Sequence, residues 1–289
     1  NGLYKVKAYL NGVLQYQYGF DGFAFDESRY INNFIDYERF HLMGQRVQKL
    51  FQISDYPLSI VAGNKKDGII KVQPGTNYTY RVELYDFHGN KVELVIPIEF
   101  AYQEAKIEKT LQKTPYFVKA KNEAIFEKNN VSVQIPENAF YSNFYLNFDV
   151  SNDILTLHDD SVPVHKNITI TFNDVQGLSE EQLAKTYIAT LDGYKLDYNK
   201  TYRKGNTFSI KTKTLGKYKL AQDVTPPRIY NVNFVEGKTL STQKTISVSV
   251  TDLQSDIKTY NGYLNGKWIL LEYDHKTKKL VHNLDNNIC

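Results

Sequence analysis

Asn11-Gly12 stands between two runs of alternating apolar residues, and this arrangement constrains the chain more than any other feature. Tyr4, Val6, Ala8 and Leu10 share one face of the run before it; Leu14, Tyr16, Tyr18 and Phe20 share one face of the run after it. Period-two alternation marks half-buried strands, and Asn-Gly supplies the two positive-φ positions of a tight hairpin turn. The pattern continues. Residues 58–61 and 69–72 read as strands around a turn at 64–68, and Pro74-Gly75 makes the next turn. Tyr78, Tyr80, Val82 and Leu84 then alternate, as do Val92, Leu94, Ile96, Ile98 and Phe100, with residues 86–90 as the loop between them. Residues 1–102 are therefore expected to form an antiparallel β-sandwich.

One stretch of this domain breaks the alternation. In residues 26–51 the apolar positions Tyr30, Ile31, Phe34 and Ile35 follow the spacing of a helical turn. Charged Asp26, Glu27, Arg29, Asp36, Glu38 and Arg39 are interleaved with large aromatics. The stretch is expected to be an ordered excursion docked on the sandwich, with Tyr30, Phe34, Ile35 and Phe51 buried. Large apolar groups left in water forgo about 1.5–3 kcal/mol each. The charges are expected at the surface, with Arg29 paired to Asp26, Glu27 or Asp36.

Residues 103–114 are charged and lack periodicity, which reads as a linker. A second β-sandwich is expected over 115–223, with strands at 131–135, 144–150, 168–172, 187–191, 207–211 and 217–221. Its one short helix starts at Ser179 as N-cap, with Gln182 three residues on. Pro226-Pro227 then removes two donors and fixes two φ angles, so no central strand passes through. A third β-domain follows over 224–289, with a hairpin at Asn265-Gly266 that carries Trp268. The chain starts at Asn1-Gly2 inside a strand pattern and stops without a closing one. It is expected to be an internal piece of a longer protein, with its first and last domains truncated.

Composition narrows the functional classes. A net charge of +3 is too small to argue for nucleic acid or anionic lipid as partner. No apolar run approaches the roughly 20 residues of a membrane-spanning helix. The sole Cys289 leaves no disulfide within the chain. The 23 Tyr and 16 Phe suit pleated surfaces. Aromatic rings also serve as sugar-stacking platforms, although packing is their commoner use.

No catalytic constellation emerges. His41, His88, His158, His165, His275 and His282 include no pair two or four apart, the spacings that bring zinc ligands together. His158-Asp159-Asp160 with His165 is the densest set of ligand-type side chains, and it reads as a polar surface loop. Carboxylates are scattered through turns, with no pair placed for glycoside hydrolysis. Residues 86–90 lack the run of oxygen ligands that a calcium loop needs. No phosphate loop or nucleophile elbow is present. Arg29 next to Tyr30 has the fork geometry to grip a carboxylate, although packing that pins the excursion is the simpler role. The candidate partner-binding residues are Arg29, Tyr30, Asp36, Tyr37 and His88; no catalytic or metal-binding residue is assigned.

Several segments carry a resemblance. Residues 1–6, 23–32, 35–38, 47–51, 58–60 and 86–90 resemble the region downstream of the catalytic domain in lysostaphin-type zinc endopeptidases. Residues 225–229 and 265–274 look like the immunoglobulin-like module near the C-terminus of the same proteins. The family cleaves peptide cross-links in peptidoglycan and binds zinc through a His-x-x-x-Asp and a His-x-His segment. Neither segment occurs here. The resemblance implies an all-β array of tandem, immunoglobulin-like antiparallel sandwiches, the last one truncated. It implies a non-catalytic accessory region with no cofactor of its own, zinc being held by a catalytic domain upstream. The partners implied are that domain and peptidoglycan or another component of the cell envelope, which is also the implied location. The competing expectation is a surface adhesin or carbohydrate-binding β-sandwich array with no enzyme attached.

Overall fold

The computed structural model describes residues 2–22, 24–52, 58–61, 66–100, 113–240, 242–255 and 257–284. The fold is all-β, built of several antiparallel sheets with few and short helices. Most of the expected 103–114 linker and part of the 64–68 turn lie outside the described residues.

In the first unit β1 (Lys5–Leu10) and β2 (Val13–Gly19) form the expected hairpin, with Asn11 at φ 47° and Gly12 at φ 78°. A bulge between Ala8 and Tyr9 lets Ala8 face Tyr16, so Val6, Ala8, Tyr16 and Tyr18 bury one face together. Strands β3 (Asn77–Tyr85) and β4 (Lys91–Glu99) extend the sheet in the order β2-β1-β3-β4. β2 is an edge strand and β3 lies on the far side of β1, so the chain between them must return across the sheet. It crosses over the apolar face: Phe34, Leu58, Ile60 and Val61 pack against Val6, Ala8, Tyr16, Tyr18 and Val82.

This layer corrects two expectations. Residues 58–61, expected as a strand, form the 3-10 turn Ser59–Val61, and residues 69–72 pair with no strand. The reason is visible in the burial: Ile60 and Val61 are adjacent and both point inward, which a strand of period two does not allow. The described residues of this unit thus hold one four-stranded sheet, covered by the excursion, where a sandwich was expected. The excursion opens with a 3-10 turn at Phe25–Tyr30, followed by α1 (Ile31–Phe34) and α2 (Tyr37–Met43). Phe34 and Ile35 are buried as expected, but Phe51 is 36% exposed and Tyr30 is half-buried.

The second unit is a sandwich of two five-stranded sheets. Its strands are β5 (Tyr116–Val118), β6 (Ala124–Lys128), β7 (Val131–Ile135), β8 (Phe144–Leu146), β9 (Phe148–Ser151) and β10 (Ile154–Leu157). They continue with β11 (Ile168–Phe172), β12 (Thr186–Asp192), β13 (Lys195–Tyr198), β14 (Tyr202–Lys204), β15 (Thr207–Thr212) and β16 (Gly216–Gln222). One sheet runs β13-β12-β16-β10-β9, the other β14-β15-β11-β7-β6, and β5 pairs with β8 alone. Val133, Leu155, Ile168, Ile170, Ile188, Phe208 and Tyr218 fill the space between the sheets. The short helix α3 (Glu180–Ala184) starts where the sequence places it. Ser179 accepts the Gln182 N–H, and the Gln182 side chain accepts the Ser179 N–H.

The third unit contains β17 (Arg228–Tyr230), β18 (Thr245–Thr251), β19 (Gly262–Leu264), β20 (Lys267–Ile269), β21 (Glu272–Asp274) and β22 (Lys279–Asn283). Four of these form a sheet in the order β17-β18-β22-β21, while β19 and β20 pair as a separate hairpin. The proline boundary before it is bridged: the Val224 and Thr225 N–H groups donate to Gln254 Oε1, and Ser255 Oγ donates to Asp223.

Candidate functional site

The excursion carries four of the five candidate residues, and its outer side faces the second unit. Arg29 lies near the end of the 3-10 turn, and its carbonyl accepts the Tyr141 hydroxyl proton. The same hydroxyl lies 3.0 Å from His165 Nδ1. The Tyr30 ring lies over the His165 imidazole, with centroids 4.6 Å apart and planes at 34°, and meets Tyr141 edge-on at 6.1 Å. Further along, Tyr37 stacks on His41 at 4.2 Å, and His41 Nδ1 lies 3.4 Å from Asp160 Oδ2. Arg29, Tyr30, Tyr37 and His41 of the excursion thus meet Tyr141, Asp160 and His165 of the sandwich.

Local structure explains why this face is rigid enough to dock. Asp36 caps α2 by accepting the Arg39 N–H at 3.1 Å, and Gly44 closes the helix in the left-handed conformation. The Asp36 N–H donates to Val47 O and the Lys49 N–H donates to Phe34 O, so the chain returns alongside itself. Glu27 accepts the Ser59 N–H at 2.9 Å and the Ser59 hydroxyl at 2.7 Å, which ties the 3-10 turn to the layer beneath.

These contacts revise the roles expected of the candidates. Asp36 and Glu27 are occupied by a helix cap and a turn, and no ion pair of Arg29 occurs among the described residues. Arg29 instead stands near Tyr37, His165 and Lys213, whose ionisation its charge influences. His88 takes no part in this contact. Its N–H donates to Asp86 within the β3–β4 loop, and its ring meets Phe87. Sequence reasoning does not single out Tyr141 as a candidate, nor Asp160 and His165 as contact residues. Asp160 and His165 belong to the ligand-type cluster that the sequence places in a surface loop, and the excursion covers that loop.

The electrostatics of the seam follow from partial burial. Burial, helped by the Asp160 charge, pushes the Tyr37 hydroxyl up to about 12, so it stays neutral. Burial also raises the Asp160 carboxyl, while His41 pulls it the other way. His165 is held below its ordinary value of 6.5, first by burial and then by Lys213, Lys166 and Arg29. Burial depresses His158 as well. An imidazole depressed in the folded state contributes stability fully above about pH 6.5, and that contribution is lost as pH falls from there toward the folded value. A His165→Gln variant should therefore lose less melting temperature than the native chain between pH 7 and pH 5. Identical pH profiles in thermal melts would contradict this reading of His165.

Among the described residues no three His, Cys, Asp or Glu side chains converge to hold a metal ion. Nor is any helix among them long and apolar enough to cross a membrane. The arrangement at the seam is one of rings, hydrogen bonds and a His–Asp pair, chemistry suited to holding two bodies together.

Residues 115–223 match the family model of the Zu5-like domain. That span is the second sandwich, so it is this unit that is similar to Zu5-like domains. No curated protein and no solved structure matches the chain.

Proposed function

We propose that the chain is a non-catalytic accessory region of a cell-envelope zinc metalloendopeptidase acting on peptidoglycan. It serves as a spacer or positioning arm or as a wall-binding module, with the zinc held by a catalytic domain upstream of Asn1. The observation that carries the reading is the docked excursion. Residues that could have formed a free recognition loop, Arg29, Tyr30 and Tyr37, face the chain's own second unit. A segment that joins consecutive units in this way suits an arm that sets a distance and a direction. The resemblance of residues 23–32 and 265–274 to the lysostaphin-type family supplies the catalytic partner. The Zu5-like similarity concerns the second unit.

The test uses the parent protein. Its coding sequence upstream of Asn1 should contain a His-x-x-x-Asp and a His-x-His segment. The full-length enzyme should release cross-link peptides from peptidoglycan, and residues 1–289 alone should release none. An upstream sequence without those ligands would overturn the reading and favour a surface adhesin, whereas hydrolysis by residues 1–289 would overturn it in favour of an enzyme within the chain itself.

A further inference from the structure

The β19–β20 hairpin of the third unit is short, pinned at its base and aromatic on its outer face. Asn265 at φ 50° and Gly266 at φ 76° make its two-residue turn. Its register pairs Gly262 with Ile269, Tyr263 with Trp268 and Leu264 with Lys267. Successive side chains of a strand point to opposite faces. Ile269 turns inward and is 4% exposed. A Cβ added at its partner Gly262 would come within 2.8 Å of the Leu271 side chain, so this end of the hairpin packs closely against the residues that follow it.

Tyr263 and Trp268 therefore share the opposite face, directly across from each other, and are 66% and 59% exposed. Leu270, just beyond the strand, is 58% exposed as well. Among the described residues, neither the Tyr263 hydroxyl nor the Trp268 indole N–H has a hydrogen-bond partner; the bonds of this unit lie elsewhere. The result is an exposed aromatic face with polar groups at its edges, carried by a hairpin that pairs apart from the four-stranded sheet.

The geometry points to a glycan strand as the occupant: Tyr263 and Trp268 form a two-ring platform that stacks on pyranose rings. A pyranose offers an apolar face of C–H bonds and a rim of hydroxyls. That complements an aromatic face bordered by a phenol O–H and an indole N–H. Size favours the same occupant. Strands of three residues give a ribbon about 10 Å long with its two strands about 4.8 Å apart, roughly a disaccharide footprint. A stable protein partner would need about 800 Å² on each side. The inference rests on the accessory reading only for the choice of polymer, the β-1,4-linked amino-sugar strand of peptidoglycan.

Trp268 is the only tryptophan of the chain, so its emission reports on this site alone. Titrating residues 1–289 with a β-1,4-linked N-acetylglucosamine tetrasaccharide should shift that emission to shorter wavelength and saturate. Tyr263→Ala keeps the reporter and should weaken binding by about tenfold, the worth of one stacked ring. Both side chains are exposed, and unchanged melting of Tyr263→Ala and Trp268→Ala would show that the fold is intact. Co-sedimentation with purified peptidoglycan separates this inference from the accessory reading. Native protein that sediments while Trp268→Ala does not supports the platform. Equal sedimentation of both overturns the platform and leaves the wall-binding reading standing. An emission shift that follows protein concentration without sugar would also overturn it, with a second copy of the chain as the occupant.

Discussion

Phe34→Ala should destabilise the first unit by about 3–5 kcal/mol, the range for removing a core phenylalanine and leaving a cavity. Phe34 is 1% exposed and closes α1, and its ring meets Tyr18 edge-on at 4.9 Å. It is the excursion's largest contribution to the core, where it packs with Val6, Ala8, Tyr16 and Val82 of the sheet. β2 and β3 flank β1, and the chain linking them passes over this face, so little else stands ready to fill the space left by the ring. Urea denaturation of the native chain and the variant measures the difference. A change within about 0.5 kcal/mol, typical of a surface substitution, would show that the excursion does not provide the core.

Gly68→Ala should be as damaging, for a different reason. Gly68 has φ +83°, and a Cβ there would lie 2.2 Å from the Leu50 carbonyl oxygen and 2.9 Å from Phe51 Cα. Both are backbone atoms, so no side chain can rotate away. The two stretches are joined by the Gln52 N–H donating to Asp67 O at 2.7 Å, and an alanine would have to force them apart. Gly75 supplies the comparison, since its φ is +72° but a Cβ there meets nothing within 4 Å. Alanine at Gly75 should cost only the left-handed backbone strain, about 1–2 kcal/mol. Parallel denaturant melts should rank Gly68→Ala well below Gly75→Ala in stability. Equal losses would mean that residues 50–52 and 67–68 are not in contact.

Features set by neighbouring residues are legible in the sequence. Asn11-Gly12 and Asn265-Gly266 make the turns their positive-φ preference requires. Ser179 and Gln182 form their reciprocal cap, because both partners lie within one turn of helix. The spacing of Ile31, Phe34 and Ile35 reveals helical turns inside a β-domain. Residues 58–61 mislead because a short apolar run carries no period, and only the sheet beneath decides that Ile60 and Val61 both point inward. The seam is less legible still. The hydroxyl of Tyr141 reaches the carbonyl of Arg29 across 112 residues of sequence, and no local pattern encodes such a pairing. Large aromatics among charges at Tyr30 and Tyr37 announce a contact surface, but not that its partner lies in the same chain.

The seam between excursion and sandwich is tested most directly by an inter-label distance measurement with pulsed electron resonance. With Cys289 replaced by Ser, spin labels at Val13→Cys and Lys121→Cys, both exposed positions, report on the first and second units. If the seam joins the units, the distance distribution at pH 7.5 should be a single narrow peak. Tyr30→Ala combined with Tyr141→Ala should then broaden it. A broad distribution in the native chain, unchanged by those substitutions, would contradict the seam and leave Arg29, Tyr30 and Tyr37 on a surface free for other partners.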